Sequence, residues 1–413
     1  GMFTWQVEAV LEGAKPDAYF VPVAIDYEKV VESGSYSKEL AGGEKKAENL
    51  TGLLKATKVL AYNYGRIHLS FDQPISLVEF MKARGLTPGQ PISDDQKKAL
   101  VRALGNRVMY GISTVSTVTA HALASTALLA HRRRGLDSFE FTERVVFLRQ
   151  IAAEDGAKLS KQMEDAPSDP TVLGPMQDAM RTFIDDEMVS AQEVRDEFIY
   201  RAEDSRRAEL SFYKNTLMNL VVGRSLVANA LLFDLGLATV DSVKQRALFL
   251  SRLFKLEFIY RTGATFDVIF EDMLEKLVRG GLITRPDDQI ISVAPEAHAR
   301  PHLEFLADLL RDYLEAYLLA AMTLEDVAAG AVTDKKTFVK VALETGRVEF
   351  LAGRISAAES LSRTTIENAL AYLLDQKLLV EKDKKLELGA AMKDGKARSE
   401  LAGEIRSFLK SER

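Results

Sequence analysis

Proton transfer in this chain would have to rest on few groups. The sequence holds five His (His68, His121, His131, His298 and His302) and no Cys. The missing thiol removes disulfides, thiolate nucleophiles, Fe–S clusters and Cys-ligated zinc. A base for a hydroxyl nucleophile is commonly a His oriented by a carboxylate. Only His68 has an Asp close behind it, Asp72 four residues on, and no His has an Asp five residues on. His298 and His302 have helical spacing, but Pro301 lies between them and no third metal ligand is near. Asp94-Asp95, Asp185-Asp186-Glu187 and Asp287-Asp288 read as helix caps and solvated faces. Arg132-Arg133-Arg134 follows an apolar run, where it suits a helix C-terminal dipole or a phosphate contact. Phosphate-loop, dinucleotide and zinc-protease motifs are absent from the sequence.

The elements that must carry such groups fall into two kinds. In residues 1–85, Phe3–Leu11 reads as a short helix and Tyr19–Ile25 as a buried β-rich strand. Pro22 inside that strand implies an edge, a bulge or one skipped ladder bond. Gly65–Phe71 alternates as a second strand and stops at Pro74. From Ser93-Asp94-Asp95-Gln96, a helix-start signal, the pattern turns helical. Helical periodicity runs through Phe139–Leu159, Met176–Tyr200, Leu210–Phe233, Val243–Tyr260 and Leu303–Ala321, with 166–174 as a turn. Phe270–Val293 and Ala369–Leu388 each read as a helix followed by a β-hairpin, the tail of a winged helix. The expected class is α+β, mostly α. Residues 1–85 would form the C-terminal remnant of an α/β domain, 86–330 a helical region and 331–413 a small winged-helix-like end.

The chain has 413 residues and a formal net charge of −6, a soluble globular balance with a poor charge for nucleic acid. Gly1-Met2-Phe3-Thr4-Trp5 has no basic and apolar signal-peptide pattern. Val108–Ala130 is free of Asp, Glu, Lys and Arg, but Ser, Thr and His121 interrupt it. It reads as a buried or groove-lining helix rather than a span. Leu217–Phe233 holds Asn219, Arg224 and Asn229 and is a weaker candidate.

One segment is more specific. Val21-Pro22-Val23-Ala24-Ile25-Asp26-Tyr27-Glu28 leads to Tyr36-Ser37-Lys38-Glu39-Leu40-Ala41-Gly42, and then to Gly65-Arg66-Ile67-His68-Leu69-Ser70-Phe71-Asp72-Gln73-Pro74. These pieces resemble, in order, the fourth motif and following motifs of the glycerol-3-phosphate acyltransferase family, which includes dihydroxyacetone-phosphate acyltransferases. Phe212-Tyr213-Lys214-Asn215 is similar to a later family stretch, and Phe254–Phe258 and Leu314–Tyr317 to its helical region.

The resemblance implies transfer of a fatty acyl group from acyl-CoA or acyl carrier protein to glycerol-3-phosphate in phospholipid biosynthesis. It implies no cofactor and no metal, and a place at the cytoplasmic face of a membrane. As substrate-binding residues it implies Val21, Pro22, Val23, Ile25, Tyr27, Glu28, Tyr36, Lys38 and Glu39. The family's His-x-x-x-x-Asp signature and its Arg-bearing phosphate motifs, which lie upstream in the family, do not occur here. The expectation is therefore a chain truncated after the third motif, with no catalytic residue of its own and inactive alone. Two other readings compete: a non-catalytic helical scaffold, and a winged-helix regulator whose recognition helix would start at Arg363.

Overall fold

The computed structural model describes residues 2–29, 65–131, 135–164, 174–234 and 237–409. Helices dominate and the sheets are small, in agreement with an α+β, mostly α class.

The N-terminal part opens with α1 (Met2–Leu11), followed by β1 (Tyr19–Phe20) and β2 (Val23–Tyr27). After β3 (Ile67–Phe71) and β4 (Ile75–Ser76) come α2 (Leu77–Lys82) and α3 (Asp94–Val115). Ser93 and Gln96 close a reciprocal capping box that fixes the start of α3. Val7, Val10, Leu77, Met81, Leu100 and Leu104 form a small core between the helices.

The uncharged run Val108–Ala130 is not one helix. α3 ends at Val115, Ser116 turns extended, β5 (Thr117–Val118) follows, and Thr119 caps α4 (Ala120–Leu129). Hydroxyl residues that bond locally favour this break over continuation. Among the described residues no helix is long and apolar enough to cross a membrane.

The rest shares one hydrophobic core from Val118 to Phe408. It begins with β6 (Leu136–Asp137), α5 (Ser138–Glu154), β7 (Lys158–Leu159) and α6 (Lys161–Glu164). Next come α7 (Gly174–Asp185), β8 (Val189–Val194), β9 (Glu197–Ala202), α8 (Arg207–Leu232), β10 (Leu237–Thr239) and α9 (Val240–Leu253). Then follow α10 (Phe266–Arg279), β11 (Ile283–Thr284), β12 (Ile290–Val293), α11 (Ala299–Asp308), α12 (Arg311–Met322) and α13 (Leu324–Ala328). The chain closes with α14 (Lys335–Leu351), α15 (Arg363–Asp375), β13 (Leu379–Lys382), β14 (Lys385–Leu388) and α16 (Gly395–Ser407).

The two expected helix-then-hairpin stretches are present, and a third copy stands before them. Met176–Tyr200 was expected to be helical throughout; instead α7 ends at Asp185 and β8 and β9 form a hairpin. Arg195 and Asp196 both take positive φ in its two-residue turn, the geometry that matches strand twist. In all three copies the second residue past the helix has positive φ: Glu187 (56°), Gly281 (67°) and Lys377 (56°). The next N–H bonds back to the carbonyl five residues earlier: Met188 to Phe183, Leu282 to Leu277 and Leu378 to Leu373, at 2.8–3.0 Å. This left-handed cap ends each helix and starts each hairpin. The buried helix faces also correspond: Met176, Met180 and Phe183; Phe270, Leu274 and Leu277; Ile366, Leu370 and Leu373.

An earlier strand completes the sheet in two copies, in the orders β6-β9-β8 and β10-β12-β11. In the last copy the Leu386 N–H bonds to the Thr333 carbonyl at 2.8 Å in the corresponding place. The repeat distance is 94 residues from Phe183 to Leu277 and 96 from Leu277 to Leu373.

Candidate functional site

β2 and β3 form an antiparallel ribbon in the register Val23↔Phe71, Ala24↔Ser70, Ile25↔Leu69, Asp26↔His68 and Tyr27↔Ile67. Alternate side chains therefore share a face. One face is apolar and open: Val21, Ile25, Tyr27, Ile67, Leu69 and Phe71 are 45–62% exposed. The expectation of a buried strand over 19–25 is corrected here, and Tyr19 is exposed too. Pro22 and Ala24 are buried, Val23 is half-buried, and Val21 and Ile25 are exposed, because no described element covers that face.

The expected irregularity at Pro22 is a bulge. Phe20 pairs with Ile75 and Val23 with Phe71, so two residues on one strand face three on the other. The Pro22 carbonyl still accepts the Asp72 N–H at 3.0 Å.

The other face is polar and ties the ribbon to the body. Asp26 accepts from the Ser116 hydroxyl at 2.6 Å and from the Thr117 N–H at 2.7 Å. Lys158 donates to the Ser70 hydroxyl at 2.9 Å, Arg107 pairs with Asp72 at 3.3 Å, and Lys29 pairs with Asp186 at 2.8 Å. Glu28 accepts the Arg66 N–H at 2.9 Å and lies 3.3 Å from His68 Nε2. α3 comes so close beneath that a Cβ on Gly111 would meet Asp72 Oδ2 at 2.5 Å and Pro22 Cγ at 2.7 Å. Of the residues the resemblance implied, Tyr36, Lys38 and Glu39 lie outside the described residues, as does Arg132-Arg133-Arg134.

The five His are spread over the molecule. His121 stacks on Tyr213 and meets the edge of Phe183, and burial lowers it to about 4. His302 lies flat on Phe147 at 4.0 Å and is lowered by burial to about 4 as well. Its neighbour His298 is 5.5 Å away, ring to ring. His131 Nε2 is 2.8 Å from the Gly135 carbonyl. Among the described residues no group of three or more His, Asp or Glu could hold a metal ion. Arg363, at the start of α15, pairs with Glu367 at 2.8 Å.

Sequence reading missed the buried charge. Lys214 bonds Asp312 at 2.6 Å, and Arg207 takes Glu359 through two bonds of 2.6 and 2.8 Å. Burial pushes the Glu359 carboxyl up, but the Arg207 guanidinium outweighs it and holds it below its usual range. Arg224, 2% exposed, bonds Asp155 at 2.6 and 3.1 Å and Glu154 at 3.0 Å. Lys276 reaches the same Asp155 at 3.0 Å and Asp272 at 3.2 Å. The pairs Lys214–Asp312 and Arg207–Glu359 join residues 98 and 152 positions apart, which no local pattern could reveal. The local signal was that Lys214 and Arg224 stand as cations in the largely apolar stretch Leu210–Leu232.

Behind the ribbon, where Ser116 and Thr117 hold Asp26, a cavity of about 480 Å³ opens between α3, α8 and α10. Its volume is that of a small-molecule site.

Residues 36–382 match the family described as glycerol-3-phosphate acyltransferase C-terminal region. A relative is dihydroxyacetone phosphate acyltransferase of Oryctolagus cuniculus, 28% identical over 369 residues that make up 86% of this chain and 53% of the relative. The chain thus spans about half the length of that curated relative. With the match running from before β3 to the last hairpin, the chain belongs to the glycerol-3-phosphate acyltransferase C-terminal region family.

Proposed function

We propose that this chain is the acyl-binding and supporting part of an acyltransferase that moves a fatty acyl group from acyl-CoA or acyl carrier protein to glycerol-3-phosphate or dihydroxyacetone phosphate. The open apolar face of the ribbon carries the reading. Val21, Ile25, Tyr27, Ile67, Leu69 and Phe71 form a surface that a hydrocarbon chain can cover, on the strands that bear the family-like motifs. Apolar area removed from water is worth about 25 cal/mol per Å², so covering several such side chains supplies useful binding.

The ribbon's opposite face serves as its anchor, through Asp26, Ser70 and Asp72. The same reading includes a membrane-associated place at the cytoplasmic face, where a fatty-acylated product would partition.

Transfer needs a base beside the acceptor hydroxyl. No His here has an Asp five residues on, and His68 pairs instead with Glu28 on the anchored face. The chain by itself is expected to bind a long-chain acyl-CoA without acylating either acceptor. Incubation with radiolabelled acyl-CoA and each acceptor tests this. Binding with no labelled lysophosphatidate or acyl-dihydroxyacetone phosphate is the expected result. Turnover abolished by His68→Ala would place the base on the ribbon and contradict it.

A further inference from the structure

The free sheet edge of the first helix-hairpin unit differs from its counterparts. Among the described residues, the first hairpin strand of each unit, β8, β11 or β13, has no neighbour on its outer side. β11 is only two residues long. β13 carries Glu381 and Lys382, and Lys335 reaches Glu381 at 2.8 Å. Short strands and charges are common guards of an edge. β8 has little of either. It runs six residues with one charge, Glu193, and no Pro, and residues 190–194 are all exposed.

The ladder with β9 decides which groups are free. The Glu203 N–H bonds the Met188 carbonyl at 2.9 Å. Alternation along an antiparallel pair then turns the N–H and C=O of Ser190, Gln192 and Val194 toward β9, and those of Ala191 and Glu193 outward. Among the described residues no backbone group bonds these outward ones.

Such a row fits another strand, and β8 of a second molecule meets its demands in one register. Two-fold antiparallel pairing must set outward residues against outward residues. A centre on Ser190 or Ala191 would draw in Val189, which is 2% exposed. A centre on Glu193 would set like charges face to face, which is unfavourable. A centre on Val194 would run into the turn at Arg195 and Asp196. A centre on Gln192 uses exposed residues alone. Ala191 then lies opposite Glu193 and Ser190 opposite Val194. The two Gln192 amides meet on the axis, where each can give and accept a hydrogen bond.

We propose that this chain associates with a second copy of itself through β8, with Gln192 on the two-fold axis, so that the β6-β9-β8 sheet continues across it. The proposal is independent of the acyl-transfer reading.

The contact is small, so sedimentation of the whole chain should show monomer at about 1 µM and a substantial dimer fraction at about 0.3 mM. Ala191→Pro removes an outward N–H and no ladder bond to β9. It should weaken association at least about tenfold while keeping the parent's melting curve. The sequence has no Cys, so single introduced ones report the register. Directly opposed positions have Cβ atoms about 4.5–5.5 Å apart, within reach of a disulfide after small adjustment. Under mild oxidation Gln192→Cys should link to itself at least about tenfold faster than Lys340→Cys, an exposed control on α14. Ser190→Cys and Val194→Cys should each link slowly alone and fast when mixed.

The proposal is overturned if the chain stays monomeric at the higher concentration, or if folded Ala191→Pro dimerises like the parent. It is also overturned if Gln192→Cys links no faster than Lys340→Cys. Fast self-linking of Ser190→Cys overturns it too, by showing another register.

Discussion

In the ribbon, the side chains turned toward the body are Ala24, Asp26, Glu28, His68 and Ser70, while Ile25, Tyr27, Ile67, Leu69 and Phe71 point away. In α10 the arrangement is reversed. Phe270, Leu274 and Leu277 face the core, and Asp267, Glu275 and Arg279 face outward. α10 follows the amphipathic rule that lowers the free energy of a soluble fold. The ribbon breaks it across five paired positions in perfect alternation. On the proposed function, this departure is the surface that the acyl chain covers. The contrast extends to how each region is held. The body relies on a continuous core and a few buried ion pairs; the ribbon docks through Asp26, Ser70, Asp72 and Lys29.

The largest expected effect breaks the body and spares the ribbon. Lys214→Met leaves Asp312 buried without its partner and should cost about 3–5 kcal/mol in denaturant unfolding. A loss no larger than at a surface site would mean that the body does not depend on its buried pairs.

Acidity sharpens the same contrast. His121 is lowered from 6.5 to about 4, so the stability it lends is present above pH 6.5 and lost as pH falls toward 4, by about 3 kcal/mol. Glu257 runs the other way. Burial raises it from 4.5 to about 7, so the folded state is favoured below pH 4.5 and weakened by about 3 kcal/mol as pH rises through 7. In melting curves against pH, His121→Phe should flatten the acid side and Glu257→Gln the neutral side. Unchanged slopes would contradict the burial of these groups.

A smaller effect tests the equivalence of the three copies. Glu187 and Lys377 hold the left-handed position that Gly281 fills without strain. Glu187→Gly and Lys377→Gly should each stabilise by about 0.5–1 kcal/mol, and Gly281→Ala should destabilise by about 1 kcal/mol. Opposite signs at the first two would break the correspondence.

Near zero, Ile25→Ser, Leu69→Ser and Phe71→Ser should each change stability by less than about 0.5 kcal/mol, as exposed positions do.

How much of this was legible depended on whether the signal was local. The two strands, the Pro22 irregularity, the Ser93 cap and two of the three helix-hairpin units rest on neighbouring residues and could be read. The first hairpin could not, because Ser190, Gln192 and Glu193 give β8 a polar, helix-tolerant appearance. The break at Ser116 was hidden by the low charge around it, which says nothing about helix continuity. Strand identity was readable at Val21–Ile25, but its exposure was not, since burial depends on what lies over a face. The family-like motifs located the ribbon; only the fold shows that Asp26 joins it to a cavity. The pairing of Glu28 with His68 likewise required the register, which sets Tyr27 against Ile67 across a gap of 40 residues.

The most direct measurement compares long-chain acyl-CoA binding by the parent chain and by the triple variant Ile25→Ser, Leu69→Ser, Phe71→Ser, in parallel with their unfolding curves. The account predicts equal stability and at least about tenfold weaker binding in the variant, from the apolar contact removed. Equal binding by the two chains would contradict the claim that the open face of the ribbon receives the acyl chain.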